Sequence, residues 1–338
     1  NFNKLGLKKL VTTSYDGSPI AGAQLTFGEY DDGNEKRQKP KAIAVEIEEV
    51  KDLNGDGATG IEDVKLFLKR NPHTRKRLAG GGDFRSPECV DLLKQADIVV
   101  TNPPFSLFKE YVAQLVEHDK RFLIIGNVQA VTYLEIFPLI KANKMWLGPT
   151  IRSGDREFRV PDHYPLNAAG WRVDEHGAKY IRVKGVRWYT NLDHGRRHEA
   201  LPLMTLADNL RYSKHKEIKG KADYVRYDNL DAIEVPFTDA IPSDYDGVMG
   251  VPISFLDKYN PDQFEIVGNS DDGAMMNEIG ARPLGHDFIK AYRDRGGTGH
   301  YSPGMRMLGL LEPQPRVIFK RILIRHRRST KPARKTKK

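Results

Sequence analysis

Cysteine is almost missing from this chain: 338 residues contain one, Cys89. A single thiol excludes an intramolecular disulfide and the stapled secreted scaffolds that depend on one, so a reducing cytoplasm is the expected setting. Long apolar runs are missing too. None approaches the roughly 18 residues a membrane helix needs, and no signal-peptide pattern opens the chain, so no membrane role is expected. The ten histidines are scattered. His194 and His198 share i, i+4 spacing, but no third ligand accompanies them. No nucleophile elbow is present, and Cys89 has no adjacent histidine. Acidic residues are absent from Lys320 to Lys338, which holds ten Lys or Arg, while the rest balances 44 basic against 45 acidic residues. The net charge of +9 therefore resides in the tail. Ser329 to Lys338 has almost no apolar residue and reads as disordered. Such a tail suits phosphate backbones through counterion release, or serves solubility alone. The length allows one large core or two domains.

What the chain does have is a sharp turn, Asn102-Pro103-Pro104-Phe105. It follows an apolar run, Ala96 to Val100, that reads as a buried parallel strand. Two prolines end the strand because neither donates to a ladder. Ser106 is a suitable N-cap for a helix with apolar residues at Leu107, Phe108, Tyr111, Val112, Leu115 and Val116. An amide and an aromatic ring thus sit at the carboxyl end of a strand, where open α/β sheets bind ligands. The Asn102 side-chain oxygen and the Pro103 carbonyl can both accept from one exocyclic amine. Phe105 can stack on a flat heterocycle, worth roughly 1–3 kcal/mol per base. An extruded nucleobase fits this description; a plain strand-ending turn with a core Phe is the alternative.

Just upstream, Gly80-Gly81-Gly82-Asp83-Phe84-Arg85-Ser86-Pro87 places Ser86 and Pro87 as N-cap and N1 of the next helix. The glycines permit close backbone approach to a ligand. Asp83 is then free to accept from a purine amine, with Phe84 over the purine face. Strands are expected at 8–15, 41–50, 97–101, 122–127 and 145–148. Helices are expected at 61–70, 87–95, 106–118 and 131–142. The alternation predicts a parallel sheet. Phe158 to Val160 and Ile181 to Leu192 read as longer antiparallel strands around a Gly turn. Around them Arg152, Arg156, Arg159, Arg172, Arg182, Lys184, Arg187, Arg196 and Arg197 mix with Trp171, Tyr180, Trp188 and Tyr189. That mixture suits a strand-lined cleft for DNA, although solvated hairpins account for part of it.

Taken together, these segments resemble the EcoRI-type adenine-specific DNA methyltransferases. The resemblance rests on Gly82 to Ser86, Ala96 to Tyr111, Phe122 to Asn127, Ser153 to Arg159, Arg182 to Trp188 and Tyr245 to Pro252. Pieces of it run from about Leu5 to Ile324. The family implies an S-adenosyl-L-methionine donor, an adenine N6 acceptor in double-stranded DNA, base flipping and a restriction–modification system with a cognate restriction endonuclease. It implies an α/β fold, a Rossmann-like methyltransferase sheet with α/β layers and a mixed C-terminal DNA-recognition region. By motif, Asn102, Pro103, Pro104 and Phe105 are catalytic, and Gly82, Asp83 and Phe84 bind the donor. Arg156, Arg159, Lys184, Arg187 and Trp188 are the candidate DNA contacts. The expected organisation is a catalytic domain at 1–194, a target-recognition region at 195–328 and a basic tail at 329–338, acting as a monomer. Family members begin with an aromatic-rich donor-binding segment and a first strand that have no counterpart here. An N-terminally incomplete chain with weak donor binding is therefore expected. An inactive DNA-binding relic, or an amine methyltransferase acting on protein or RNA, are the alternatives.

One motif stands apart. Asp52 to Asp63 fits a twelve-residue calcium loop, with ligands at Asp52, Asn54, Asp56, the Ala58 carbonyl and Asp63, and Gly57 at the sharp turn. A strand rather than a helix precedes it. The alternative is an acidic turn that caps the following helix.

Overall fold

The computed structural model describes residues 6–17, 42–151, 156–160, 162, 164, 166, 170–301 and 304–327. The basic tail, Arg152 and Ser153 to Asp155 lie outside the described residues. The described residues are mixed α/β and fall into two units. The first takes those of Asn1–Val99, Gln114–Lys120 and Asp155–Lys184, the second those of Val100–Ala113, Arg121–Gly154 and Gly185–Lys338. The expected boundary at 194/195 falls inside the second unit.

In the first unit, β1 (Leu10–Thr13), β2 (Ile43–Ile47) and β3 (Arg75–Arg77) form an antiparallel sheet with β2 in the centre. β2 alternates, as a strand must. Ala42, just before it, and Ala44 pack with Leu78 and Cys89, the latter from α2 (Pro87–Gln95). Val45 and Ile47 pack with Val64, Phe67 and Leu68 of α1 (Ile61–Arg70). The strand is thus covered on both faces. α2 starts as its sequence dictates: the Ser86 hydroxyl accepts from the Cys89 N–H and Pro87 occupies the first turn, where no N–H is needed. The antiparallel pairing departs from the expected parallel sheet. Alternation of strands and helices along a chain does not by itself fix strand direction.

In the second unit one sheet runs in the order β4 (Ile98–Thr101), β5 (Arg121–Asn127), β10 (Val186–Thr190), β6 (Trp146–Leu147), β4 being where the chain passes between units. β10 lies antiparallel to β5 and β6. α3 (Phe108–Glu117) buries Phe108, Val112 and Leu115, three residues of the periodic stripe seen in the sequence. A second sheet has the order β11 (Ala232–Glu234), β12 (Val248–Pro252), β14 (Arg321–His326), β13 (Phe264–Asn269). β11 is parallel to β12; the other two pairings are antiparallel.

Several boundaries differ from expectation. The run 181–192 is two strands, because Gly185 adopts φ +64 and its carbonyl accepts from the Val128 N–H. Its first half, β9 (Lys179–Val183), pairs instead with β7 (Arg156–Val160) and β8 (Trp171–Val173). The expected helix 131–142 contracts to α4 (Phe137–Lys141), preceded by a 3-10 turn at Val128–Thr132. Pro138 lies in the first turn of α4, the position in a helix that needs no N–H.

Candidate active site

β4 carries the turn. It is not the buried strand expected: Ile98 is 42% and Val100 64% exposed. Past Thr101 the Pro103 ring is buried, whereas Asn102 and Phe105 are exposed. The Asn102 side-chain amide makes no hydrogen bond to a described residue, so its acceptor oxygen is available. The helix does not begin on a Ser106 cap. Phe105–Leu107 form a 3-10 turn, closed by the Leu107 N–H donating to the Pro104 carbonyl at 2.9 Å. Two prolines hold the preceding backbone extended, so the chain tightens through 3-10 geometry before α3.

What anchors this turn is packing. Phe108 meets Tyr189 edge to face at 5.0 Å between centroids. A Cβ on Gly126 would lie 2.5 Å from the Phe108 ring and 2.9 Å from Tyr189, so β5 needs glycine there. The Tyr189 hydroxyl donates to the Asn127 carbonyl at 2.7 Å, and burial pushes the phenol pKa far up. Lys109, in the first turn of α3, pairs with Glu135 at 3.0 Å and lies 4.9 Å from the centre of the Tyr133 ring. Gly126 and Lys109 were not singled out from the sequence, and Tyr189 was read there only as part of a basic and aromatic cleft for DNA. An interior glycine in an apolar strand was the one available sign.

Gly82, Asp83 and Phe84 belong to the first unit. Gly82 has φ +75, and a Cβ there would stand 1.9 Å from the Ser14 carbonyl oxygen. The Asp16 N–H donates to the Gly81 carbonyl. The close approach these glycines permit is thus to the chain just past β1. Asp83 is not free as expected. Arg85 folds back on it, Nη2 to Oδ2 at 2.8 Å and Nε to Oδ1 at 3.0 Å, which holds the carboxyl below its ordinary range. The Asp83 side chain is still 30% exposed, so an amine can reach an oxygen that retains an unused lone pair. The half-buried Phe84 has the Arg85 guanidinium 5.4 Å from its ring centre, and its carbonyl accepts from Gln114 Nε2.

The expected DNA contacts divide. Arg156 and Arg159 are exposed but point to opposite faces of β7, opposite Val183 and Tyr180 respectively. Lys184 is exposed. Trp188 is half-buried, and its Cβ would lie 2.7 Å from a Cβ at Gly148. Arg187 is a correction: its guanidinium is buried and paired with Asp257, Nε to Oδ1 at 2.9 Å and Nη2 to Oδ2 at 3.2 Å. An arginine whose partner lies 70 positions away cannot be told from a surface arginine in sequence.

The Asp52–Asp63 loop follows the capping reading. Asp52, Asp56 and Asp63 lie within 4.8 Å of one another, and all three carboxylates accept from amides of their own loop, Asp56 from the Ala58 N–H and Asn54 Nδ2. Asp52 accepts from Gly55 and Gly57, and Asp63 from Leu53, Asn54 and Gly60, which lowers the Asp63 pKa, the Gly60 contact most strongly. The loop closes on itself and caps α1. The structure supports the capping alternative and lends calcium no support.

Among the described residues no helix is long and apolar enough to cross a membrane. A profile of the family described as "Adenine-specific methyltransferase EcoRI" matches residues 1–327. The type II methyltransferase M.EcoRI of Escherichia coli is 42% identical over 273 residues, 79% of this chain and 72% of that protein. M.MgeORF184P of Mycoplasma genitalium is 41% identical over 60% of this chain and 61% of its own length. M.MpnI of Mycoplasma pneumoniae is 34% identical over 79% of this chain and 67% of its own. No solved structure matches the chain. With the Asn102–Phe105 turn, its anchoring and these matches in place, the chain belongs to the EcoRI family of adenine-specific methyltransferases.

Proposed function

We propose that this chain is a type II DNA adenine N6-methyltransferase of a restriction–modification system, using S-adenosyl-L-methionine. The observation that carries the reading is the exposed Asn102, its side-chain oxygen unspent, on a proline-stiffened turn at the end of β4. The donor supplies a methyl group already activated on a sulfonium. Asp83 and Phe84, with Gly82 shaping their loop, would hold its purine end.

The rest is positioning. The adenine leaves the duplex at a cost of a few kcal/mol of unstacking and unpairing. Asn102 Oδ1 and the Pro103 carbonyl accept its two amine hydrogens, which turns the nitrogen lone pair out of the ring plane. Phe105 stacks on the base and fixes that plane, and Pro104 stiffens the backbone between them. The amine proton becomes acidic only after nitrogen has gained the methyl group and positive charge, so no strongly basic side chain is required. Orientation of two bound reactants then accounts for most of the rate. The finer features of the proposal are a Rossmann-like arrangement of the catalytic strands, target recognition within 195–328 and a cognate endonuclease acting on the same DNA site.

The test is methyl incorporation by the chain from labelled donor into unmodified duplex DNA, RNA and protein. N6-methyladenine in duplex DNA is the expected product. Label in RNA or protein with none in DNA would replace the reading by one of a different amine substrate.

A further inference from the structure

Phe319 is the most exposed large apolar side chain among those described, at 69%. A lone exposed ring on a mobile loop would mean little. This one sits on backbone that is fixed from several sides, all within the second unit. The next residue, Lys320, holds φ +38, a left-handed conformation that residues with a side chain adopt only at a cost. Lys320 Nζ is tied to Asp271 at 2.8 Å and to the Thr132 hydroxyl at 3.1 Å. Arg321 clamps the same peptide groups. Its Nη1 donates to the Phe319 carbonyl at 3.0 Å and to that of Lys320 at 3.3 Å, while its Nη2 is held by the buried Glu234 at 2.6 Å. The Arg321 N–H donates to the Ser270 hydroxyl at 2.7 Å and its carbonyl accepts from the Ser270 N–H. Strain of this kind persists only where surroundings over-determine it, and here they present an aromatic ring to solvent.

The position matters as much as the rigidity. Thr132, which holds Lys320, also has its carbonyl within reach of Asn269 Nδ2 at 3.4 Å. It directly precedes the Tyr133–Glu135 segment that Lys109 fastens to the first turn of α3. That helix continues from the Asn102–Phe105 turn. An unbroken series of contacts therefore links the presented ring to the turn that would hold the target base. Leu134, inside the fastened segment, is 64% exposed, so apolar surface accompanies the ring.

We propose that Phe319 is a wedge that enters the DNA base stack beside the target adenine and offsets the stacking lost on extrusion. This rests on the DNA adenine methyltransferase reading. Apolar side chains inserted at base steps unstack them, and a pre-positioned ring does so without first being ordered. No group is transferred to or from the ring; it is a positioning residue for extrusion.

The experiment compares the full chain with its Phe319→Ala and Phe319→Trp variants on unmodified phage duplex DNA, with kcat, KM and thermal melting measured for each. The expected result is a fall of at least about tenfold in kcat for Phe319→Ala with melting unchanged, and recovery to within about threefold for Phe319→Trp. A Phe319→Ala variant within twofold of wild type in kcat overturns the wedge while leaving the methyltransferase reading intact. So does a fall in kcat accompanied by a lower melting temperature in both variants, which marks a structural role. A wild-type chain that places no methyl on DNA adenine overturns the underlying reading and the wedge with it.

Discussion

At the residue scale, one acceptor oxygen carries the chemistry proposed for this protein and one missing Cβ bears on its stability. Asn102 is exposed, so replacing it by Ala would remove one of the two acceptors proposed for the amine while touching nothing buried. Methyl transfer is expected to fall by about 10² or more, with the far-ultraviolet spectrum and melting unchanged. Full activity in that variant would show that the adenine is oriented by other groups. Gly82 presents the opposite case, a residue whose substitution acts through the fold. Its φ of +75 and the Ser14 carbonyl 1.9 Å from a would-be Cβ both oppose any side chain. Gly82→Ala is expected to destabilise the protein by roughly 2 kcal/mol or more, read as a lower denaturant midpoint. An unchanged midpoint would mean the glycine loop does not pack against the chain past β1.

Among the elements, β10 and the segment after it are held by charges. Arg187 and Asp257 are each only 8% exposed and bind two-pronged, so removing one takes a two-pronged ion pair from a buried charge. Asp257→Ala is expected to cost about 3–5 kcal/mol, and the double change Arg187→Met with Asp257→Leu considerably less. Denaturation of the single and double variants decides this; equal losses would place the pair outside the buried core. His198 makes a different kind of tie. Its Nδ1 lies 2.9 Å from Asp262 and its Nε2 3.0 Å from Asp193. The two carboxylates, Asp262 foremost, raise its pKa above the ordinary 6.5. A raised folded-state value means that the protonated bridge stabilises fully below pH 6.5 and is lost as pH rises through the shifted pKa. The melting temperature is expected to decline over that interval in wild type, and His198→Gln to flatten the decline. An identical pH profile in the variant would assign the decline to other groups.

For the whole molecule, the distribution of charge separates affinity from recognition. The excess of positive charge belongs to Lys320–Lys338, and the remainder is near neutral. Removing Ser329 to Lys338 is expected to weaken binding to all DNA sequences alike and to lower the slope of log affinity against log salt. Lysines and arginines in a run without aromatic or amide side chains neutralise phosphates but do not read base edges. Titrations at several salt concentrations, with and without the tail, test this; an unchanged slope would rule out phosphate contact by the tail.

Much of the site was legible because its signals are local. Prolines end a strand wherever they stand, Ser-Pro opens a helix, and an apolar stripe at 3.6-residue spacing gives α3 its buried face. Those rules produced α1, α2, β5 and the Asn102–Phe105 turn from the sequence alone, and they tied the turn to an amine-binding chemistry. Non-local relations were hidden. Strand direction depends on which strands meet, so β1, β2 and β3 came out antiparallel. Gly185 splits an apparently continuous strand because two different sheets claim its halves. Arg187 left the set of candidate DNA contacts on meeting Asp257, 70 positions away. Two local contacts also went unread, because which group a short-range carboxylate accepts from depends on the exact backbone path: Arg85 folds back on Asp83, and Asp52 and Asp63 accept from amides of their own loop. Phe319 reads in sequence as one more apolar residue before a strand; only the contacts of Lys320 and Arg321, made with residues 49 to 188 positions away, decide that its ring is held out to solvent. Periodicity and backbone chemistry act over a few residues and are written in the sequence, whereas pairing between distant charges, amides and strands is fixed only when the chain folds.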